Sequence, residues 1–199
     1  MVHKLETSAT EERILDAAYA LVARVGVRKT TYEDVALKAS VSRQTVYRYF
    51  PNKEELVQSL MEREAERFFI ALERAVPREV NLERALERSL VFTLDYIGTH
   101  PLLSWVYENE PNELLPHLTV QWVPILDAAR LFLQPYIDRE VQSGRISRAR
   151  ANVAGDWITR VGISYLISPS EIVNLRDPRS VRKWVPGLIL YGLAGPPES

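Results

Sequence analysis

The sequence contains no cysteine. Disulfides, cysteine-ligated zinc and cysteine nucleophiles are therefore excluded, and a reducing compartment suits the chain. No apolar run approaches the ~20 residues that span a bilayer. The N-terminus, MVHKLETSATEER, has no apolar core of the signal-peptide kind. A soluble, cytoplasmic chain with no membrane partner is the expectation. Strand-like alternation, internal repeats and low-complexity tracts are also missing. The three histidines, His3, His100 and His117, match no metal spacing. There is no glycine-rich phosphate loop, no serine elbow and no paired-carboxylate motif. Neither an enzyme nor a resident metal or cofactor is expected.

What is present is ordinary for a globular protein: 46% hydrophobic and 26% charged residues in 199. The formal charge of -1 is unevenly distributed. Arg24, Arg28, Lys29, Lys38, Arg43, Arg48 and Lys53 face only two acids, Glu33 and Asp34, in the stretch 24–53. That stretch carries +5 and the remainder carries -6. One end is thus suited to a polyanion and the other is not.

Within the basic end, YEDVALKASVSRQTVYRYFPNK (32–53) reads as two short helices and a tight turn. Val35, Ala36 and Ala39 form an apolar stripe at helical spacing. Ser40-Val41-Ser42 breaks the helix, and Ser42 caps a second running from Arg43 to Phe50. Val46 and Phe50, four residues apart, share the face that locks onto the first helix. Arg43, Gln44, Tyr47 and Arg48 lie on the opposite face. Arg and Gln make paired hydrogen bonds to purine edges, and Tyr and Lys suit phosphates. The pattern predicts a helix-turn-helix that reads double-stranded DNA in the major groove.

Upstream, residues 1–9 are either a frayed terminus or an arm that touches DNA through His3 and Lys4. From Thr10 a helix carries Ile14, Ala18, Leu21, Val22 and Val25 on one face and ends at Gly26. Thr30 or Thr31 caps the Tyr32 helix, whose free amides also suit a phosphate. Downstream, Asn52 and Glu55 form a capping-box pattern for a helix that runs toward Val76. Lys53 in its first turn opposes the helix dipole, by ~0.3–1 kcal/mol, unless a phosphate faces it.

The helix ending in Gly26, TTYEDVALKASVSRQTVYRYFPNKEEL and the long helix after it resemble the DNA-binding region of TetR-family transcriptional regulators over roughly Thr10–Leu60. The turn, the Ser42-Arg43 entry, Tyr47, the Tyr49-Phe50 pair and the Pro51–Glu55 run fall in family register. The resemblance implies that Thr31, Arg43, Gln44, Thr45, Tyr47, Tyr49 and Lys53 face DNA. Tyr49 departs from the histidine often seen there. An all-α fold follows, with a three-helix DNA-binding domain at 1–53 and a larger helical effector-binding and dimerisation domain at 54–199.

Beyond Pro77 the signals are helical: Asn81 to about Gly98, a short apolar segment LLSWVYENEP with a Pro- and Asn-marked turn, Val120–Val141 with Pro135 inside, Ser147 to about Ser168, and a last helix opened by Asp177-Pro178. The stretch 89–129 has no lysine or arginine but five acids and five aromatics. Its aromatics either line a cavity for a small apolar or aromatic effector or are simply core, with the glutamates a solvated loop. Phe92, Tyr96, Trp105, Trp122 and Phe132 are the candidate lining. The last two helices either complete the monomer or form a homodimer interface. Ala154, Gly155, Gly162 and Ser164 would allow close helix approach there. Trp157, Val161, Tyr165, Trp184 and Leu188 would supply bulk. The expected function is a regulator, a repressor released from a palindromic operator by its effector. The alternative is a DNA-binding helical protein with no effector site.

Overall fold

The structure, a computed structural model, describes residues 8–118, 123–168, 170–174 and 177–194. Ten α-helices and no strand occur among the described residues: α1 (Ala9–Lys29), α2 (Tyr32–Ala39), α3 (Arg43–Tyr49), α4 (Lys53–Ala75), α5 (Leu82–Thr99), α6 (Pro101–Asn109), α7 (Pro111–Leu118), α8 (Val123–Gln142), α9 (Arg148–Ile167) and α10 (Pro178–Ala194). None of the described helices is long and apolar enough to cross a membrane. The chain forms two compact units, one of Met1–Ala65 with Thr99–Gln121 and one of Glu66–Gly98 with Trp122–Ser199. Their division falls inside α4, twelve residues beyond the boundary drawn at residue 53, and the first unit also recruits the later helices α6 and α7.

The first unit is organised by hydroxyl caps and one apolar core. Ser8, Thr31 and Ser42 each accept a backbone N–H three residues on, opening α1, α2 and α3. Asn52 does the same for Glu55 at 2.9 Å, and its amide donates to the Glu55 carboxylate at 2.7 Å. Ile14, Ala18 and Val22 of α1 meet Val35, Ala36 and Ala39 of α2 and Val46 of α3 in a core closed by Leu56 and Leu60 of α4. Leu102 and Val106 of α6 complete it, and both are fully buried. The interval read as an apolar segment and a turn is therefore two helices. Pro101 and Pro111 stand at their first positions, where a proline lacks only an N–H that would have no helical partner.

Gly26 does not end α1 outright. At φ 87° and ψ 168° it breaks the helix, and a last turn, Val27–Lys29, continues beyond it. That short turn presents its own N–H groups, and the Glu110 carboxylate takes them, at 2.7 Å from Val27 N and 3.3 Å from Arg28 N. Glu110 is buried, so the glutamate that one of the two readings placed in a solvated loop caps a helix 83 residues away in sequence. A β-carbon on Gly26 would lie 2.3 Å from the Trp105 ring, so only glycine fits that approach.

In the second unit, Leu72, Val76, Leu82, Leu86, Leu133, Ile137, Ala154 and Ile158 form the core. The buried Tyr136 hydroxyl donates to the Val76 carbonyl at 3.1 Å. Ser147 caps α9, and Val181 N bonds the Asp177 carbonyl at the start of α10, as the sequence predicted. Ala154 is fully buried, and Gly155 packs on Arg130 of α8. Of the small residues expected between subunits, Gly155 thus packs on α8 within the chain and Ala154 lies in this unit's own core. Glu87 on α5 receives Arg84 at 2.6 Å and Arg182 of α10 at 2.7 Å. Burial raises its carboxyl pKa, but these two guanidinium hydrogen bonds outweigh that and hold it below the ordinary value.

Candidate nucleic-acid interface

The seven-residue α3 is fixed from below and bare above. Val46 and Phe50 are buried, as their spacing required, and Arg43, Gln44, Tyr47 and Arg48 are exposed. The turn before α3 depends on Ser40, whose φ of 53° is left-handed, and its N–H closes α2 on the Ala36 and Leu37 carbonyls. Arg13 of α1 donates to the Ala39 and Ser40 carbonyls, so α1 also holds the end of α2.

The exposed side chains form a linked set. Arg43 donates through Nη1 to Glu33 at 2.8 Å and through Nη2 to the Tyr47 hydroxyl at 3.2 Å. Its guanidinium carbon stands 5.4 Å from the centre of the Tyr47 ring. Tyr47 in turn lies against Tyr32, with ring centroids 4.7 Å apart. The Tyr32 hydroxyl donates to the Phe50 carbonyl at 2.8 Å. Burial, then the Tyr47, Glu54 and Glu55 charges, push the Tyr32 hydroxyl up to about 12.

Of the residues expected at DNA, Arg43, Gln44 and Tyr47 share the open face. Thr31 is exposed beside it, its hydroxyl donating to Asp34 at 2.6 Å. Thr45 is half-buried, with its hydroxyl 2.8 Å from that of Ser42. Tyr49 turns toward α1: its ring packs on the core and its hydroxyl accepts from Ser8 at 3.1 Å, a bond that lowers its pKa. Lys53 has a partner that the helix-dipole argument missed. Its Nζ donates to the Arg28 carbonyl at 3.1 Å, at the C-terminal end of α1, where a cation is favoured. Glu33 is the residue of this surface that sequence reasoning left out. The signal was its spacing of ten residues from Arg43 across the turn, which becomes a contact only once the two helices are folded together. His3 and Lys4 lie outside the described residues.

The described candidate lining residues are distributed over both units. Phe92 and Tyr96 stack with each other and with Phe68 in the second unit, at centroid distances of 5.3–5.9 Å. Phe132 pairs with Tyr136 in that unit's core. Trp105 belongs to the first unit, against Gly26, and Trp122 lies outside the described residues. Periodicity assigns such rings to a helix face without saying which unit that face joins. On α9 and α10, Trp157, Trp184 and Leu188 remain exposed, at 41%, 45% and 59%. Val161 and Tyr165 are half-buried, with Tyr165 on the core. Trp157 also covers Gly192 of α10.

Two family models match this chain: bacterial regulatory proteins of the tetR family over residues 14–60, and the bacterial tetracyclin repressor C-terminal domain over residues 81–179. Over 52 residues it is 48% identical to an uncharacterized HTH-type transcriptional regulator, YvkB of Bacillus subtilis (strain 168), covering 26% of this chain and 28% of that protein. Over 117 residues it is 32% identical to the HTH-type transcriptional repressor SCO4008 of Streptomyces coelicolor, covering 56% and 57%. The chain thus spans less than two thirds of the length of these curated relatives. The crystal structure of the TetR family repressor AlkX from Dietzia sp. strain DQ12-45-1b, implicated in biodegradation of n-alkanes, is similar throughout. Its TM-score is 0.65 at 26% identity, with 94% of this chain and 98% of that one covered. The two matched segments, the helix-turn-helix geometry and the all-helical fold agree, and the chain belongs to the tetR family of bacterial regulatory proteins.

Proposed function

We propose that this protein is a sequence-specific DNA-binding transcriptional regulator, a homodimeric repressor released from a palindromic operator by a small apolar effector. The observation that carries this reading is the α3 face. A short helix held by buried Val46 and Phe50 offers guanidinium, amide and phenol groups on its open side. Arg43 and Gln44 read base edges, while Thr31 and Lys53, beside that face, meet phosphates. Two copies related by a two-fold axis would present the face at successive grooves, about 34–36 Å apart or a multiple of it. The exposed Trp157, Trp184 and Leu188 support α9 and α10 as the dimer surface, since large apolar side chains exposed together on neighbouring helices mark association sites.

The effector is the less constrained part. The Phe68, Phe92 and Tyr96 rings offer an apolar, aromatic environment in the second unit, which suits a neutral apolar or aromatic compound. The link of AlkX to n-alkane degradation points the same way. Selection of bound DNA from a random pool tests the main reading: a two-fold-symmetric consensus is expected, and recovery of no consensus contradicts it. Release of that DNA by an apolar compound that also raises the melting temperature tests the effector. The reading without an effector site forecasts no change in either measurement.

A further inference from the structure

Glu33, like Asp34 beside Thr31, is an exposed acid on the surface proposed to meet a polyanion. The Glu33–Arg43 bond crosses the turn from α2 to α3 at 2.8 Å, and both side chains are more than half exposed. Such a pair is screened by solvent and contributes little to folding. What it does fix is direction. Arginine has many rotamers, yet here one end of the guanidinium fork is held by Glu33 and the other by the Tyr47 hydroxyl, with the Tyr47 ring alongside. That ring is seated on Tyr32, which is tied to the Phe50 carbonyl in the buried interior. The clamp on Arg43 is therefore anchored to the core of the unit.

A carboxylate at this place has two effects on DNA. It repels phosphates, which weakens attachment to every sequence alike. It also holds Arg43 in one orientation, so that the ordering needed for a paired hydrogen bond to a base is complete before contact. The first effect lowers non-specific binding and the second favours the correct base. Both widen the gap between correct and incorrect sequences.

We propose that Glu33 is a specificity-determining positioning residue: it presets the Arg43 guanidinium for base reading and discourages sequence-independent binding. This rests on the DNA-reading assignment of α3. The test measures affinity for the wild-type consensus, for a consensus changed at the base that Arg43 reads, and for random-sequence duplex. The proteins are wild type, Glu33→Gln, Glu33→Asp, Arg43→Ala and the Glu33→Gln/Arg43→Ala double variant.

Glu33→Gln is expected to bind random duplex roughly two- to tenfold more tightly, from the loss of one repelling charge. It should also lose roughly three- to tenfold of its discrimination at the Arg43 base, a fraction of the full value of a paired contact. Glu33→Asp, which keeps the charge, should retain the weak binding to random duplex and recover part of the discrimination. In the Arg43→Ala background, Glu33→Gln should leave discrimination unchanged. If Glu33→Gln tightens binding to all three duplexes equally, Glu33 acts by charge alone and the positioning role is overturned. If wild type itself selects no consensus, the DNA-reading assignment of α3 fails instead, which is a distinct result.

Discussion

At the scale of single residues, Gly26 and Tyr32 make the sharpest demands. Gly26 sits at a backbone angle open essentially only to glycine, and a β-carbon there would meet Trp105 at 2.3 Å and the Glu110 carboxylate at 2.8 Å. Gly26→Ala should cost about 3 kcal/mol, read as a lowered urea midpoint, from backbone strain and overpacking together. Gly98→Ala is the control. Its β-carbon would meet nothing within 4 Å, and in α5 it should gain about 0.5–1 kcal/mol. Glu110→Ala should cost about 2 kcal/mol, because it strands the buried Val27 N–H.

Tyr32 predicts a pH window. Its hydroxyl, raised from 10.0 to about 12, stays neutral in the folded state at pH values where the unfolded chain already ionises. Its contribution is thus complete below pH 10 and is lost as the pH rises to about 12. Tyr32→Phe should flatten the decline of melting temperature over that window. At neutral pH it should cost about 1 kcal/mol for the lost bond to Phe50.

At the scale of elements, what could be read from the sequence was local. Val35, Ala36, Ala39, Val46 and Phe50 declared the inward faces of α2 and α3 by spacing, and Ser42, Asn52 and Ser147 declared helix starts by chemistry. What could not be read was which distant segment each face meets. The Glu110–Val27 bond, Trp105 on Gly26 and the joining of α6 and α7 to the first unit depend on pairings some 80 residues apart. The Lys53–Arg28 contact was hidden for the same reason, since its partner is a backbone carbonyl with no sequence signature. Gly162 provides an element-scale test. Its β-carbon position is open within the chain, so Gly162→Ala should stabilise α9 in a monomer. If α9 packs closely on a second copy there, the same change should weaken association instead. Sedimentation and urea melts measured together separate the two outcomes.

For the whole molecule, reading a palindromic operator requires two reading surfaces joined in one dimer. Light scattering at micromolar concentration should give twice the 22.8 kDa chain mass. Leu188→Glu, which places a charge on an exposed apolar position of α10, should return the mass of one chain. Operator binding should fall with it, because a single reading surface loses the avidity of two. The charge distribution fits such an assembly: the basic stretch 24–53 contains α3, while the remainder carries a net -6, which disfavours its contact with the same polyanion.

The proposed regulator stands on base reading by the open face of α3. The most direct measurement compares the consensus selected from a random DNA pool by wild type with that selected by Gln44→Ala. Gln44 is exposed on that face. Gln44→Ala is expected to relax one symmetric position per half-site, with preference there falling roughly ten- to a hundredfold, and to leave the other positions intact. An unchanged consensus at every position, with Gln44→Ala folded and still bound to DNA, would contradict base reading by this face.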